Sequence, residues 1–102
     1  MYLIRRAWKI KPGTTKQAAE IIEKIGLAYQ SAGQRSATRV YWSGYTVPGP
    51  ANTVYMDWTQ EIIDSPYREQ NVLPDMSALS AQLRELTEES FIEFYEMVQS
   101  RG

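Results

Sequence analysis

Apolar residues recur along this chain with two different periods, and each change of period marks the border of an element. From Tyr2 to Lys11 they alternate: Tyr2, Ile4, Trp8 and Ile10 share one face, interrupted only by Arg6, and Pro12-Gly13 ends the run. That is a strand. The period then becomes helical, with Ala18, Ile21, Ile22, Ile25, Tyr29 and Ala32 on a single stripe. Thr14 with Gln17 three residues later predicts a capping box at the helix start, and Gly33 a cap at its end. Gly26, inside this helix, costs roughly 1 kcal/mol relative to alanine. Close packing of the helix backbone against a sheet would account for it.

Alternation returns in Thr38–Tyr45 and Thr53–Trp58, joined by 47–52, where Pro48-Gly49 suits the centre of a type II turn. Ser65-Pro66 then reads as a cap with proline at the first helical position, predicting a short helix over 66–71 that stops before Pro74. Asp75 is placed to cap a second main helix with Met76, Leu79, Leu83 and Leu86 inward. A last strand is predicted from Phe91 to Gln99, with Ile92, Phe94 and Val98 opposing Phe91, Tyr95 and Met97. The order strand, helix, strand, strand, helix, strand is the ferredoxin-like βαββαβ pattern. It predicts one α+β domain over residues 1–102, a four-stranded antiparallel sheet with both main helices on one face.

The two sheet faces differ in kind. Helices should cover Tyr2, Ile4, Trp8, Ile10, Val40, Trp42, Val54, Met56, Trp58, Ile92, Phe94 and Val98, which are almost wholly apolar. The opposite face carries Arg5, Arg39, Asp57 and Glu93 among Tyr41, Tyr45, Tyr55, Phe91 and Tyr95. Four of the chain's seven tyrosines lie there. A solvated face whose tyrosines reflect strand propensity is one explanation. A second copy of the chain, packed sheet to sheet so as to close a barrel, is the other, and the better one, because the tyrosines fall on several strands together. Tyrosine and arginine are enriched at such interfaces. Arg39, Tyr41, Tyr45, Tyr55, Asp57 and Tyr95 are therefore the candidate dimer interface, with the charged residues setting docking more than stability.

Composition narrows the chemistry. Eleven basic residues against twelve acidic ones, with Arg5, Arg6, Lys9 and Lys11 split between two strand faces, offer no stripe for nucleic acid. No run approaches the roughly 20 apolar residues of a membrane helix. The chain opens in a strand pattern without a signal-peptide arrangement, which predicts a cytoplasmic protein. Histidine and cysteine are both absent. Thiol nucleophiles and thiolate or imidazole metal sites go with them, and no carboxylate-rich loop resembles a calcium site. The expectation is a protein with no metal and no cofactor.

Arg6-Ala-Trp-Lys-Ile-Lys-Pro-Gly13 resembles the first strand of NIPSNAP-like proteins, where an arginine precedes an aromatic by two positions and the strand ends in Lys-Pro-Gly. Val40-Tyr-Trp42, Asn52-Thr-Val-Tyr-Met-Asp-Trp58 and the Ser-Pro helix start are similar to that family too. The resemblance spans most of the chain. It implies the dimeric α/β-barrel superfamily, which includes antibiotic-biosynthesis monooxygenases, haem-degrading enzymes and stress-responsive barrel proteins. NIPSNAP-like strands often carry a histidine near the position of Met56, and haem-degrading members ligate iron through histidine; this chain has neither. Fold likeness of this kind does not carry function with it.

Arg6 is the sharpest single residue, one charge on an apolar strand face. It needs a carboxylate such as Glu61 or Glu85, a backbone carbonyl, or an anion on a ligand. Trp8, Trp42 and Trp58 are core packing or pocket wall. Tyr67 and Arg68 would lie over a pocket mouth or simply decorate a helix cap. Arg6, Trp8, Trp42, Trp58 and Tyr67 are thus the candidate ligand-binding residues. The predicted function is binding of a small apolar or aromatic molecule between sheet and helices by a homodimer. Its alternatives are a cofactor-independent monooxygenase acting on an aromatic substrate, with Asn71 a further candidate group, and a purely structural interaction module.

Overall fold

The computed structural model describes residues 1–33, 36–62 and 76–98. Four strands, β1 (Tyr2–Ile10), β2 (Arg39–Ser43), β3 (Thr53–Gln60) and β4 (Thr87–Glu96), alternate with helices α1 (Thr15–Ser31) and α2 (Ser77–Leu86) in the expected order. The sheet is antiparallel with strand order β2-β3-β1-β4. β1 is central, paired with β3 from Tyr2–Gln60 to Lys9–Thr53 and with β4 from Tyr2–Glu96 to Lys9–Glu89. A register shift between Lys9 and Ile10 then brings Ile10 opposite Thr87. This is the ferredoxin-like βαββαβ fold.

The core follows the alternation read from the sequence. Ile4, Trp8 and Ile10 of β1, Val54, Met56 and Trp58 of β3, Ala18, Ala19, Ile21 and Ile22 of α1 and Leu83 of α2 form one buried cluster. Tyr2, Val40, Trp42, Ile25, Leu79 and Leu86 pack at its margin. Gly26 explains itself here. A Cβ on it would lie 2.6 Å from Thr38 Oγ1 and 2.8 Å from Met56 Sδ, so only glycine lets α1 approach the sheet this closely. Gly33 adopts a left-handed φ of 74° just past α1, and its N–H donates to the Gln30 carbonyl at 3.0 Å.

Several expectations are corrected. The Thr14 hydroxyl does not cap α1; it donates back to the Lys11 carbonyl at 2.7 Å, closing the Pro12-Gly13 turn instead of a capping box. β2 ends at Ser43, because Gly44 takes a left-handed φ of 67° and turns the chain. Tyr45 consequently sits in the loop, its ring edge-on to Trp42 at 5.5 Å, and not in strand register with Tyr41. β4 begins at Thr87, four residues before the predicted Phe91, and ends at Glu96. Its polar start, Thr87-Glu-Glu-Ser90, has no apolar alternation to reveal it, yet main-chain pairing with β1 asks for none. Lys11 N–H to Leu86 O, at 2.9 Å, fixes the helix-to-strand junction.

The largest difference concerns what β4 buries. Ile92 and Phe94 stand opposite Arg6 and Ile4, on the helix side as expected, but both remain exposed within the single chain. Val98 lies beyond the strand and is exposed. α2 joins the core through Leu83, packed beside α1. The predicted short helix over 66–71, the Asp75 cap, Tyr67, Arg68 and Asn71 lie outside the described residues. No described helix is long and apolar enough to cross a membrane.

Candidate functional site

Between α1, α2 and the β1–β4 half of the sheet lies a cavity of about 350 Å³. Its volume sits near the lower end of small-molecule pockets, which run from about 300 to 1,000 Å³. Trp8, Ile25, Tyr29 and Leu83 supply the apolar wall, Arg6 enters from β1, and Ser80, Arg84, Thr87, Glu88, Glu89 and Ser90 form the polar side. Helical spacing produces half of that wall. The apolar stripe of α1 is deeply buried at Ile21 and Ile22, then half-buried at Ile25 and Tyr29. Its last turn therefore leaves the core and borders the cavity.

Arg6 and Trp8 share the helix side of β1, two residues apart, and the Arg6 guanidinium carbon lies over the Trp8 ring at 4.9 Å from its centroid. Such a contact is worth about 0.5–2 kcal/mol, more as the pair is dried. It lets a half-buried cation rest against an otherwise apolar face. Of the five predicted ligand-binding residues, the structure brings Arg6 and Trp8 together at this cavity. Trp42 and Trp58 are not part of its lining. Trp58 is core, its indole N–H donating to Gln60 Oε1 at 3.3 Å. Trp42, at the β2 edge, is separated from Trp8 by Val54 in register and donates to Thr46 Oγ1 at 2.7 Å. Tyr67 lies outside the described residues. Tyr29 and Ile25 were visible in the sequence only as core stripe, whereas Ser80, Thr87, Glu88 and Ser90 carried no signal at all.

The opposite sheet face holds a second constellation. Arg39, Asp57, Arg5 and Glu93 are neighbours in register across β2, β3, β1 and β4. Arg39 Nε donates to Asp57 Oδ1 at 2.8 Å, and Arg5 grips Glu93 through Nε and Nη2 at 2.8–3.1 Å. Tyr41 donates its hydroxyl to Asp57 Oδ2 at 2.6 Å and stacks on Tyr55 at 5.3 Å, while the Arg5 guanidinium lies over the Tyr55 ring. Tyr95 donates to Glu93. Partial burial, reinforced by the bond to Asp57, pushes the Tyr41 phenol up to about 12. The Tyr95 hydroxyl, and then Arg5, hold the Glu93 carboxyl below the ordinary range. Five of the six predicted interface residues (Arg39, Tyr41, Tyr55, Asp57 and Tyr95) belong to this one network; Tyr45 does not. Arg5 and Glu93, which complete it, were foreseen as charges on this face.

No protein-family model and no curated protein matches the chain, but solved structures share its architecture over nearly its whole length. An uncharacterized NIPSNAP-like domain protein from Burkholderia xenovorans superposes with a TM-score of 0.68 at 19% identity, covering 99% of this chain and 87% of that one. A NIPSNAP family protein from Agrobacterium tumefaciens gives 0.66 at 18% identity, covering 98% and 93%. SnoaB, a cofactor-independent oxygenase from Streptomyces nogalater, gives 0.62 at 10% identity, covering 98% and 95%. What this chain shares with them is the ferredoxin-like βαββαβ fold. At these identities the likeness extends to the fold alone.

Proposed function

We propose that this chain is a NIPSNAP-like protein that acts as a homodimer and holds one small aromatic molecule in the cavity of each subunit. The observation that carries the reading is the cavity itself: about 350 Å³ left open between sheet and helices, with Trp8, Tyr29, Ile25 and Leu83 on its wall and Arg6 beside them. Flat aromatic surface would pack against the wall, beside the Arg6–Trp8 stack. The homodimer is supported by the open sheet face, whose Tyr41, Phe91 and Tyr95 are exposed around an ordered polar network. A thermal-shift titration with one- and two-ring phenols and aromatic acids tests the ligand. The melting temperature rises with at least one of them, and Ser80→Trp, which fills the cavity from α2, abolishes the rise. A panel without any shift sinks the ligand-binding reading.

A second reading takes the same cavity as the reaction chamber of a cofactor-independent oxygenase. Trp8 and Tyr29 in the lining and the shared fold with SnoaB favour it. Oxygen uptake on mixing with a phenolic ligand from the first experiment is its signature; binding without uptake leaves a binding protein.

A further inference from the structure

From two unpaired charges on the polar side of the cavity we infer that its ligand is a zwitterion: an aromatic amino acid whose ring packs against Trp8 while its carboxylate meets Arg84 and its ammonium meets Glu88. The inference rests on the ligand-binding reading and adds the class of ligand. Ser80, Leu83, Arg84 and Thr87 all line the cavity. Their spacing, three, four and seven residues on from Ser80, puts them on one face of α2 as it runs into β4. Leu83 is buried on that face, whereas Arg84 stays exposed. The Thr87 hydroxyl is already engaged, donating to the Leu83 carbonyl at 2.7 Å. The Arg84 side chain, by contrast, makes no hydrogen bond or ion pair with any described residue.

Glu88 owes its place to an irregularity of the sheet. Lys9 pairs with Glu89 and Ile10 with Thr87, so Glu88 is the extra residue of a bulge and has no register partner on β1. A bulge breaks the alternation of its strand and re-aims a side chain there. Glu88 lines the cavity, and its carboxylate has no hydrogen bond or ion pair among the described residues. Glu89 borders the cavity too, but it stands in register with Lys9, so alternation assigns its side chain to the opposite sheet face. Arg6 is already engaged with the Trp8 ring. One cation and one anion therefore await partners at the same wall. A purely anionic ligand would gain Arg84 and be repelled by Glu88; a purely cationic one would meet the reverse. A neutral phenol would dry both ions without pairing either. An α-amino acid carries both charges on one carbon, and the wall of Trp8, Ile25, Tyr29 and Leu83 receives an aromatic side chain.

Calorimetric titration of the full chain with matched ligands tests this. L-Tryptophan is compared with indolepropionic acid and tryptamine, and L-phenylalanine with phenylpropanoic acid and phenethylamine; within each set the ring is constant and one charge is removed. At least one amino acid should bind about tenfold more tightly than either of its analogues. Arg84→Gln should cost about tenfold for that amino acid and for its acid analogue while leaving the amine unchanged. Glu88→Gln should weaken the amino acid and the amine while leaving the acid unchanged. Both side chains are exposed, so each variant without ligand should melt where the unmodified chain does. If an acid or an amine binds as tightly as its amino acid, or if either variant leaves the amino acid unaffected or weakens acid and amine alike, the zwitterion inference falls and the cavity remains a ligand site. Amino acids that do not bind, beside a phenol or aromatic acid that does, overturn this inference alone. Silence from every ligand overturns the ligand-binding reading with it.

Discussion

The two faces of one sheet are built from alternate residues of the same four strands, yet they are held by different forces. On the helix side, Ile4, Val54, Met56 and Ile22 are fully buried and interlock without a single formal charge among them. On the open side, Asp57 is as buried as many core residues, but it is held by Arg39 and Tyr41 through directed bonds of 2.8 and 2.6 Å. One face depends on volume and contact, so it tolerates little change of size. The other depends on geometry and charge, so it tolerates size but not a missing partner. A cavity remains on the first, where the last turns of α1 face α2 and the start of β4; the second leaves Tyr41, Phe91 and Tyr95 exposed.

Substitutions separate the two regimes, beginning with the largest effect. Ile22→Ala, at a fully buried site of α1, should destabilise by about 2–5 kcal/mol in denaturant unfolding. A cost below about 1 kcal/mol would mean the helix–sheet core is loosely packed. Asp57→Ala should cost about 1–3 kcal/mol, since it strips the Tyr41 hydroxyl and the Arg39 guanidinium of their common acceptor. Asp57→Asn, which keeps an acceptor, should recover part of that loss. If Asn behaves like Ala, packing and not bonding governs this face too.

Gly26→Ala sets two effects against each other. Helix propensity favours alanine by roughly 1 kcal/mol, whereas its Cβ would push into Thr38 and the buried Met56, and overpacking costs about 1–3 kcal/mol. Net destabilisation near 1 kcal/mol is expected, and a stabilised variant would show that Met56 can move aside.

Tyr41 adds a pH dependence. Its phenol is raised from 10.0 to about 12 in the folded chain, so the neutral form is favoured by folding. The stabilisation is complete below pH 10 and is lost as pH climbs from 10 towards 12. Discounted for a side chain that is 37% exposed, the loss is on the order of 1 kcal/mol. Tyr41→Phe should flatten this alkaline limb of the stability curve; an unchanged limb would assign it to another group. Smallest of all for the fold is Arg39→Ala, at a solvent-exposed edge position. Its consequence should be read in self-association and not in unfolding.

Much of this was already legible in the chain. Period-two runs at Tyr2–Lys11 and Thr53–Trp58 have a single register that buries Ile4, Trp8, Val54 and Met56, because a slip by one residue would turn every one of them outward. The helical stripe and Gly33 placed α1 to within a residue or two. Arg6 and Trp8 could be singled out because a lone charge on an apolar face demands explanation. Tyr45 and the start of β4 could not be placed so easily. A glycine at positive φ removed Tyr45 from its strand, and main-chain pairing with β1 extended β4 through residues whose side chains gave no alternation.

Local sequence therefore determined which elements form and which side of β1 and β3 turns inward, since backbone period and apolar burial are properties of neighbours along the chain. Tertiary structure alone decided the rest. It set Arg39, Asp57, Arg5 and Glu93, drawn from four strands, into one row, and it placed the end of the α1 stripe beside Arg6 around an unfilled space. Both depend on distances between elements far apart in sequence, which no period within a single element encodes.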